Sequence, residues 1–399
     1  MDSDTLLARI TDYANRPDPF PLYTELREAG PVVRQADGSC LIGTYHEIAA
    51  LLHDPRMSAD PRSGTASPPS EEPAHLPFLR LDDPEHHRLR NSAMRPFGPP
   101  HSPGRVNAMR GEIVEITKHL AESFQPGRQI DVVDDFAYPL PVTVICRLLG
   151  VPQEDEQLFQ AWTEVLVASA DIGPEGDTAE QDRAARQARQ EMGLYLIDLA
   201  EQRRGSPTGD MLSDFINEPD PALRLTGGEL AETNMLLFIA GHETTVNLIT
   251  NGVLTLLRQP EQLDLLRREP GLLPQAVEEL LRYEPPVHMR ERIPLADIDV
   301  AGTTIAAGTS VILALASASR DPKRFREPDR FDPTRPDNQH FGFGSGIHLC
   351  YGAPLARIEA EAALGALLPH LSTARLIQDP PPYRQNAMLR GPRHLPVQL

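Results

Sequence analysis

The sequence predicts a mainly α-helical protein with a minor β part, organised as a single domain over residues 1–399. Short alternating runs around the Gly302 and Gly308 turns predict a small sheet over 287–316, with further strands around 31–46 and in the C-terminal segment. No linker-like composition or internal repeat divides the chain. Apolar residues recur at helical spacing over 85–97, 105–124, 135–149, 153–170 and 176–203.

The N-terminal elements are predicted in order from the glycine and proline residues at which they end. A helix within "DPFPLYTELREAG" ends at Gly30, and "GSCLIGTYHEIAALLHDP" indicates a short strand that leads into a helix ending before Pro55. Residues 56–80 are rich in proline and poor in large apolar side chains, so they indicate a long loop.

The longest predicted helix begins at Thr226 and ends before Pro260. Thr226 and Glu229 have the spacing of a capping box, and the apolar run 235–241 indicates a helix that is buried on every side. The helix is weakened in its middle, at "AGHETT". Gly241 costs about 1 kcal/mol relative to alanine, and Thr244 can bond back to a carbonyl. From the residues alone, Glu243 could equally lie on a solvated face.

The charge pattern excludes some partners. A formal net charge of −19 argues against nucleic acid, whose phosphates require clustered Lys and Arg. The chain contains no apolar run of the roughly 18 residues that span a bilayer. Its N-terminus lacks the basic and apolar regions of a signal peptide. We therefore expect a cytoplasmic protein with no membrane partner.

The three cysteines are far apart, which argues against zinc or a redox disulfide. Cys146 lies in an apolar run and is predicted to be a packed core residue, whereas Cys40 is given no role. Cys350 lies in "FGFGSGIHLCYG", just before a predicted helix whose N-terminus favours a thiolate. Glycines at 344, 346 and 352 let the backbone approach a flat ligand. The alternative is a free cysteine in a glycine-rich turn.

The pattern F-G-x-G-x-H-x-C-x-G resembles the haem-binding loop of the cytochrome P450 family. This resemblance covers nearly the whole chain and implies a cytochrome P450-like fold, with the long central helix over a buried haem b. It implies that Cys350 is the axial thiolate on iron, that His348 bonds a haem propionate, and that Phe343, Gly344 and Gly352 shape the cofactor loop.

Two further motifs have counterparts in the family. Glu279 and Arg282 in "EELLR" share a helical face, and the resemblance implies a structural lock with Arg330, although the spacing alone favours a surface ion pair. Ala240 and Gly241 resemble the family's oxygen-binding groove. Within that motif the resemblance implies that Glu243 and Thr244 are the catalytic pair that delivers protons.

Basic residues elsewhere complete the resemblance. His86 and Arg90 stand four apart on one helical face, and Arg292 follows later; by resemblance all three bind the haem propionates together with His348. The chain departs from the family where Ser319 replaces the usual asparagine and where Tyr351 follows the ligand. Neither substitution removes a chemical group that the resemblance assigns to the reaction.

The resemblance implies an O₂-dependent monooxygenase that hydroxylates, or epoxidises, an apolar small molecule. No flavin or iron–sulfur motif occurs, so ferredoxin and ferredoxin reductase would supply electrons. A docking patch could include Arg88, Arg90, Arg95, Arg105 and Arg357. An H₂O₂-using peroxygenase and a haem-binding sensor or carrier are the alternatives. By analogy, the substrate pocket is lined by Phe78, Leu79, Leu237, Val287, His288, Met289 and Met388.

Overall fold

A computed structural model describes residues 5–65, 76–98, 104–170 and 178–399. Helices dominate the described residues. They are α1 (Leu6–Thr11), α2 (Phe20–Ala29), α3 (Tyr45–His53), α4 (Glu85–Phe97), α5 (Gly104–Ala108), α6 (Arg110–Ala121), α7 (Pro139–Leu149), α8 (Glu156–Ala170), α9 (Thr178–Gln202), α10 (Met211–Ile216), α11 (Gly227–Arg258), α12 (Pro260–Arg268), α13 (Leu273–Tyr283), α14 (Leu315–Ala318) and α15 (Ala353–Leu367).

Short strands form the minor β part. They are β1 (Val33–Arg34), β2 (Cys40–Ile42), β3 (Met57–Ser58), β4 (Gln129–Asp131), β5 (Arg290–Pro294), β6 (Ile298–Val300), β7 (Thr303–Ile305), β8 (Val311–Leu313), β9 (Arg375–Leu376) and β10 (Pro396–Gln398). One sheet has the order β1-β2-β8-β5-β3, a second has β4-β10-β9, and β6 pairs with β7. The β2–β8 pair is parallel, and the other pairs are antiparallel. The fold class is therefore as predicted.

Helix α11 is the long central helix of the helical core. Its capping box is present, because the Thr226 hydroxyl accepts from the Glu229 N–H while the Glu229 carboxylate accepts from the Thr226 N–H. The helix continues without a break through "AGHETT", so the weak propensity of that segment does not end it. Gly252 lets α13 and α15 approach closely, since a Cβ there would lie 3.0 Å from the Leu280 side chain.

Two predicted elements differ from the structure. The helix predicted over 105–124 divides into α5 and α6 at Met109, whose N–H contacts the carbonyls of both Arg105 and Val106. The predicted loop 56–80 contains the strand β3, which pairs with β5; residues 66–75 of that loop lie outside the described residues. In the described part of the chain, no helix has the length and apolarity needed to cross a membrane.

Glu279 is the centre of a fully buried ion network. Its carboxylate accepts from the Arg282 guanidinium at 2.8 Å through both oxygens, and both side chains have an exposed fraction of 0%. The second guanidinium on Glu279 belongs to Arg335, whose Nε lies 3.1 Å from both carboxylate oxygens. The prediction of a surface pair is thus excluded for Glu279 and Arg282.

The assignment of Arg330 to this lock was wrong. Its side chain extends to Glu327 at 3.7 Å and is largely exposed, and only its backbone carbonyl joins the network by accepting from Arg282. Arg282 also donates to the carbonyl of Ser319 at 3.0 Å. Because this bond uses the backbone, the departure from asparagine at Ser319 does not disturb it.

We predict that Glu279→Gln lowers the free energy of unfolding by about 3–5 kcal/mol, because it leaves two buried guanidinium groups without a counter-ion. The midpoint of urea unfolding measures this change. Glu115→Gln is the control, since it breaks only an exposed pair with Lys118 and should cost less than about 1 kcal/mol. Equal midpoints for the two variants would contradict the role given to Glu279.

Candidate active site

The loop before α15 is held in one conformation by short backbone contacts. The Cys350 N–H donates to the Phe343 carbonyl at 2.9 Å, and the Gly344 N–H donates to the Phe341 carbonyl at 2.8 Å. Gly344 and Gly346 have φ values of +69° and +68°, which favour glycine. A Cβ on Gly346 would also lie 2.0 Å from the Leu52 carbonyl oxygen. The loop therefore requires glycine at 346 for two reasons.

Cys350 lies just before the N-terminus of α15. Burial raises the pKa of its thiol, and the N–H groups of Gly352 and Ala353 and the charges of Arg90 and Arg357 offset only part of this rise. The residue nevertheless has exposed surface. The Cys350 side chain therefore keeps accessible surface although the surrounding atoms desolvate it.

A second ion cluster attaches α15 to α13. Glu278 accepts from the Arg357 Nε at 2.6 Å and lies 3.2 Å from His340 Nε2. Burial would raise the pKa of Glu278, but His340 and Arg357 together lower it to about 2. The Arg357 guanidinium also lies 4.6 Å from the centre of the Phe343 ring. The cysteine loop and its following helix are thus fixed to the same helix as the Glu279 network.

The four predicted propionate ligands come together next to this loop. The rings of His86 and His348 are 4.4 Å apart. Burial, followed by the charges of Arg292, His86 and Arg90, lowers the pKa of His348 to about 3. His86 Nε2 and both ring nitrogens of His348 are buried and have no hydrogen-bond partner among the described residues. The cluster is rich in donors; within the described residues, Asp83 is the one acidic side chain in contact with its histidines, and the charge of Asp82 also acts on Arg292.

The segment of α11 that is predicted to form the oxygen-binding groove runs from Ala240 to Thr244. The Thr244 hydroxyl donates to the Ala240 carbonyl at 2.7 Å, as the sequence suggested. Glu243 is 6% exposed, so it does not lie on a solvated face. Gly241 serves packing, because a Cβ there would lie 2.9 Å from the Ile145 side chain on α7. His242 faces away and contacts the Tyr138 carbonyl at 3.1 Å.

The predicted substrate pocket is only partly supported. His288 is 1% exposed, and its Nδ1 contacts the Tyr23 hydroxyl at 2.9 Å; Met289 and Met388 pack in the same cluster as Tyr23. Phe78 is 3% exposed and packs against Tyr351. His288, Met289 and Phe78 are thus buried and Met388 is partly exposed, and the four pocket assignments stay predictions.

Three assignments remain compatible with a pocket. Leu79 and Val287 are partly exposed, and Leu237 is 8% exposed on the same helix as the groove. Tyr351, a departure from the family pattern, packs between the rings of Phe78 and Phe97 at 5.7 and 5.2 Å. Its bulk is therefore taken up by the aromatic packing behind the cysteine loop.

The proposed arginine patch is largely neutralised. Arg88 pairs with Glu229, Arg95 with Glu218, Arg105 with Asp214 and Arg357 with Glu278. Arg90 is directed inward and donates to the Leu349 carbonyl. These side chains do not form a surface of unbalanced positive charge.

One site residue was missed by sequence reasoning. Arg290 precedes Arg292 by two residues on β5, and its guanidinium is near enough to Cys350 for the thiolate charge to act on it. Burial lowers the pKa of Arg290. The signal was available in "RERIP", since alternate residues of a strand share a face.

Comparisons with known proteins identify relatives along nearly the whole chain. The family model described as Cytochrome P450 matches residues 41–398. The chain is 40% identical to Cytochrome P450 monooxygenase PikC of Streptomyces venezuelae, covering 95% of this chain and 91% of that protein. It is 39% identical to 6-deoxyerythronolide B hydroxylase of Saccharopolyspora erythraea, covering 96% of each. The ligand-free crystal structure of Mycobacterium smegmatis CYP164A2 superposes with a TM-score of 0.86 at 36% identity, covering 99% of each chain.

The two glycines of the cysteine loop provide a matched test. Gly344→Ala should cost about 1–2 kcal/mol of unfolding free energy, because alanine disfavours left-handed backbone. Gly346→Ala has the same strain and also the clash with the Leu52 carbonyl, which should add about 1–3 kcal/mol. Urea unfolding of both variants measures the difference. Equal losses would show that the contact between Gly346 and Leu52 does not hold the loop.

Proposed function

The chain belongs to the cytochrome P450 family and is a monooxygenase of bacterial type, and on this premise we propose that it inserts one oxygen atom of O₂ into an apolar small molecule. Hydroxylation is the principal reaction proposed, with epoxidation as a variant. The observation that carries the proposal is the cluster of desolvated basic groups next to the loop that contains Cys350.

The residues present fit a haem with two carboxylates. Arg90 and Arg292 supply fixed positive charge, while unpartnered ring nitrogens of His86 and His348 supply neutral hydrogen bonds. Buried polar groups of this kind are stable only when they are hydrogen-bonded. Haem b would be held by these groups through its propionates and by Cys350 through its iron, and it would satisfy the unpartnered ring nitrogens.

Cys350 is proposed as the axial ligand. The N–H groups of Gly352 and Ala353 stabilise the negative sulfur, and no Cβ at Gly352 crowds it, since that atom would lie 3.8 Å away. Thiolate-ligated haem supplies the electron-rich iron that favours O–O cleavage. The protein's own contribution is to orient this sulfur, to direct N–H groups toward it and to keep it away from bulk water.

Glu243 and Thr244 are proposed to move protons. Thr244 has accessible surface, and its hydroxyl donates to the Ala240 carbonyl, so its oxygen is left to accept a hydrogen bond. Glu243 is the adjacent buried carboxylate and can relay protons inward to that hydroxyl. This acid–alcohol pair favours O₂ as the oxidant over a reaction that begins from H₂O₂.

Electrons are proposed to come from a ferredoxin and its reductase. The apolar side chains Ile347 and Leu349 of the cysteine loop are 51% and 47% exposed. Because the arginines considered above are paired, docking on this side would depend on these apolar contacts more than on net positive charge.

Leu79, Leu237 and Val287 are proposed as apolar walls for the substrate.

Thr244→Ala tests the proton-delivery role. The variant should retain haem and substrate binding, while product formed per electron consumed falls roughly tenfold or more, with the electrons appearing as peroxide. Thr250→Ala is the control, because the Thr250 hydroxyl makes the same type of helix bond, to the Val246 carbonyl at 2.9 Å, at a fully buried position. Unchanged product per electron in Thr244→Ala would refute the role.

A further inference from the structure

Helix α11 carries a row of polar side chains that leads away from Glu243. Glu243, Asn247 and Asn251 follow one another at intervals of four residues, so they share one face of the helix. Asn247 is 0% exposed and Asn251 is 1% exposed. Polar groups at consecutive turns of a buried helix are costly unless each is hydrogen-bonded. The row therefore requires hydrogen-bond partners along its length.

The two asparagines have amide atoms that no protein group binds. In the described part of the chain, neither Oδ1 nor Nδ2 of Asn247 makes a hydrogen bond, although the backbone packs closely there, since a Cβ on Gly391 would lie 2.1 Å from Asn247 Oδ1. Asn251 Nδ2 donates to the carbonyls of Arg390 at 3.0 Å and Glu284 at 3.3 Å. Asn251 Oδ1 is buried and has no donor among the described residues.

The row ends at a pocket that solvent reaches. The pocket has a volume of about 500 Å³, and Asn251 is one of the residues that line it. Asp329 and Arg330 also line it, and their side chains are 67% and 61% exposed. The pocket therefore brings solvent to the outer end of the row, while Glu243 stands at the inner end.

Consecutive members of the row are separated by a distance that one water molecule can bridge. A helix rises about 1.5 Å per residue, so residues four apart lie about 6 Å apart along the axis. This is too far for a direct hydrogen bond, which needs about 3 Å between heavy atoms. It suits a water that bonds to both groups. Buried water typically binds polar groups that have no other partner, as at Asn247.

We propose that Asn247 and Asn251 position buried water molecules that carry protons from this pocket to Glu243. This inference rests on the proposed function, because it supplies the protons that Glu243 passes to Thr244. When Glu243 gives up a proton, a water held by Asn247 restores it, and water at Asn251 replaces that proton from solvent. The amides do not ionise; they orient water through a carbonyl acceptor and N–H donors.

Asn234 provides a matched control on the same helix. It is 0% exposed, and both of its amide atoms also lack a hydrogen-bond partner within the described ranges. It stands nine residues before Glu243, and at about 100° per residue this places it on the opposite face of the helix. Its substitution therefore changes a buried amide without changing the row.

Time-resolved infrared spectroscopy of the haem-loaded protein tests the proposal by recording protonation of the Glu243 carboxylate after a rapid drop in pH. The Glu243 band is identified by its loss in Glu243→Gln. Asn247→Leu has a similar shape but no polar atoms, and it should slow protonation at least about tenfold. Asn247→Ser, which keeps a polar atom, and Asn234→Leu should both protonate at the wild-type rate.

A high-resolution crystal structure of the wild-type protein gives a second measurement, which does not depend on how the variants fold. Ordered water is expected within hydrogen-bonding distance of the Asn247 amide and of Asn251 Oδ1. Protein partners at these atoms instead of water would overturn the inference.

Three infrared results would also overturn it. These are an unchanged rate in Asn247→Leu, equal slowing in Asn247→Leu and Asn234→Leu, and no protonation of Glu243 in the wild-type protein. Because neither measurement involves turnover, failure of the proposed proton delivery would be seen separately, in the product per electron of Thr244→Ala.

Discussion

The buried carboxylate of Glu279 is the interaction on which the site's framework depends. It holds α13 to the chain between α14 and the cysteine loop by binding Arg335 and by accepting the Asp332 N–H at 2.8 Å. It also pairs with Arg282 of the same helix, which donates to the carbonyls of Ser319 and Arg330 in that segment. The adjacent Glu278 faces α15 and pairs with Arg357. Two neighbouring carboxylates on one helix therefore fix both the segment that leads into the cysteine loop and the helix that follows it. A buried ion pair of this kind contributes little net stability but is costly to break.

That framework allows the site to concentrate positive charge. The rings of His86 and His348 and the guanidinium groups of Arg90, Arg290 and Arg292 lie around Cys350 in desolvated surroundings. Such an arrangement is unfavourable by itself, because charged groups lose hydration without gaining partners. It becomes favourable when an anionic ligand binds. The same charges support a haem with its two carboxylates.

Local patterns predicted much of the fold and the centre of the site. The capping box and apolar run predicted α11, and the glycine-rich pattern located Cys350, because both depend on residues close in sequence. The roles of residues on short extended segments were harder to predict, because neighbouring side chains in such a segment face opposite sides. The contact of His288 Nδ1 with Tyr23, far away in the chain, has no local signal in the sequence. Arg335 was missed because the resemblance pointed to Arg330 as the partner of Glu279.

The absorption spectrum of the reduced, CO-bound protein tests the central claim most directly. If Cys350 ligates the haem iron as a thiolate, the Soret band will be strongly red-shifted, and Cys350→Ala will lose that band. A Soret band at the shorter wavelength typical of imidazole ligation, or no haem band after haem is supplied, would contradict the account.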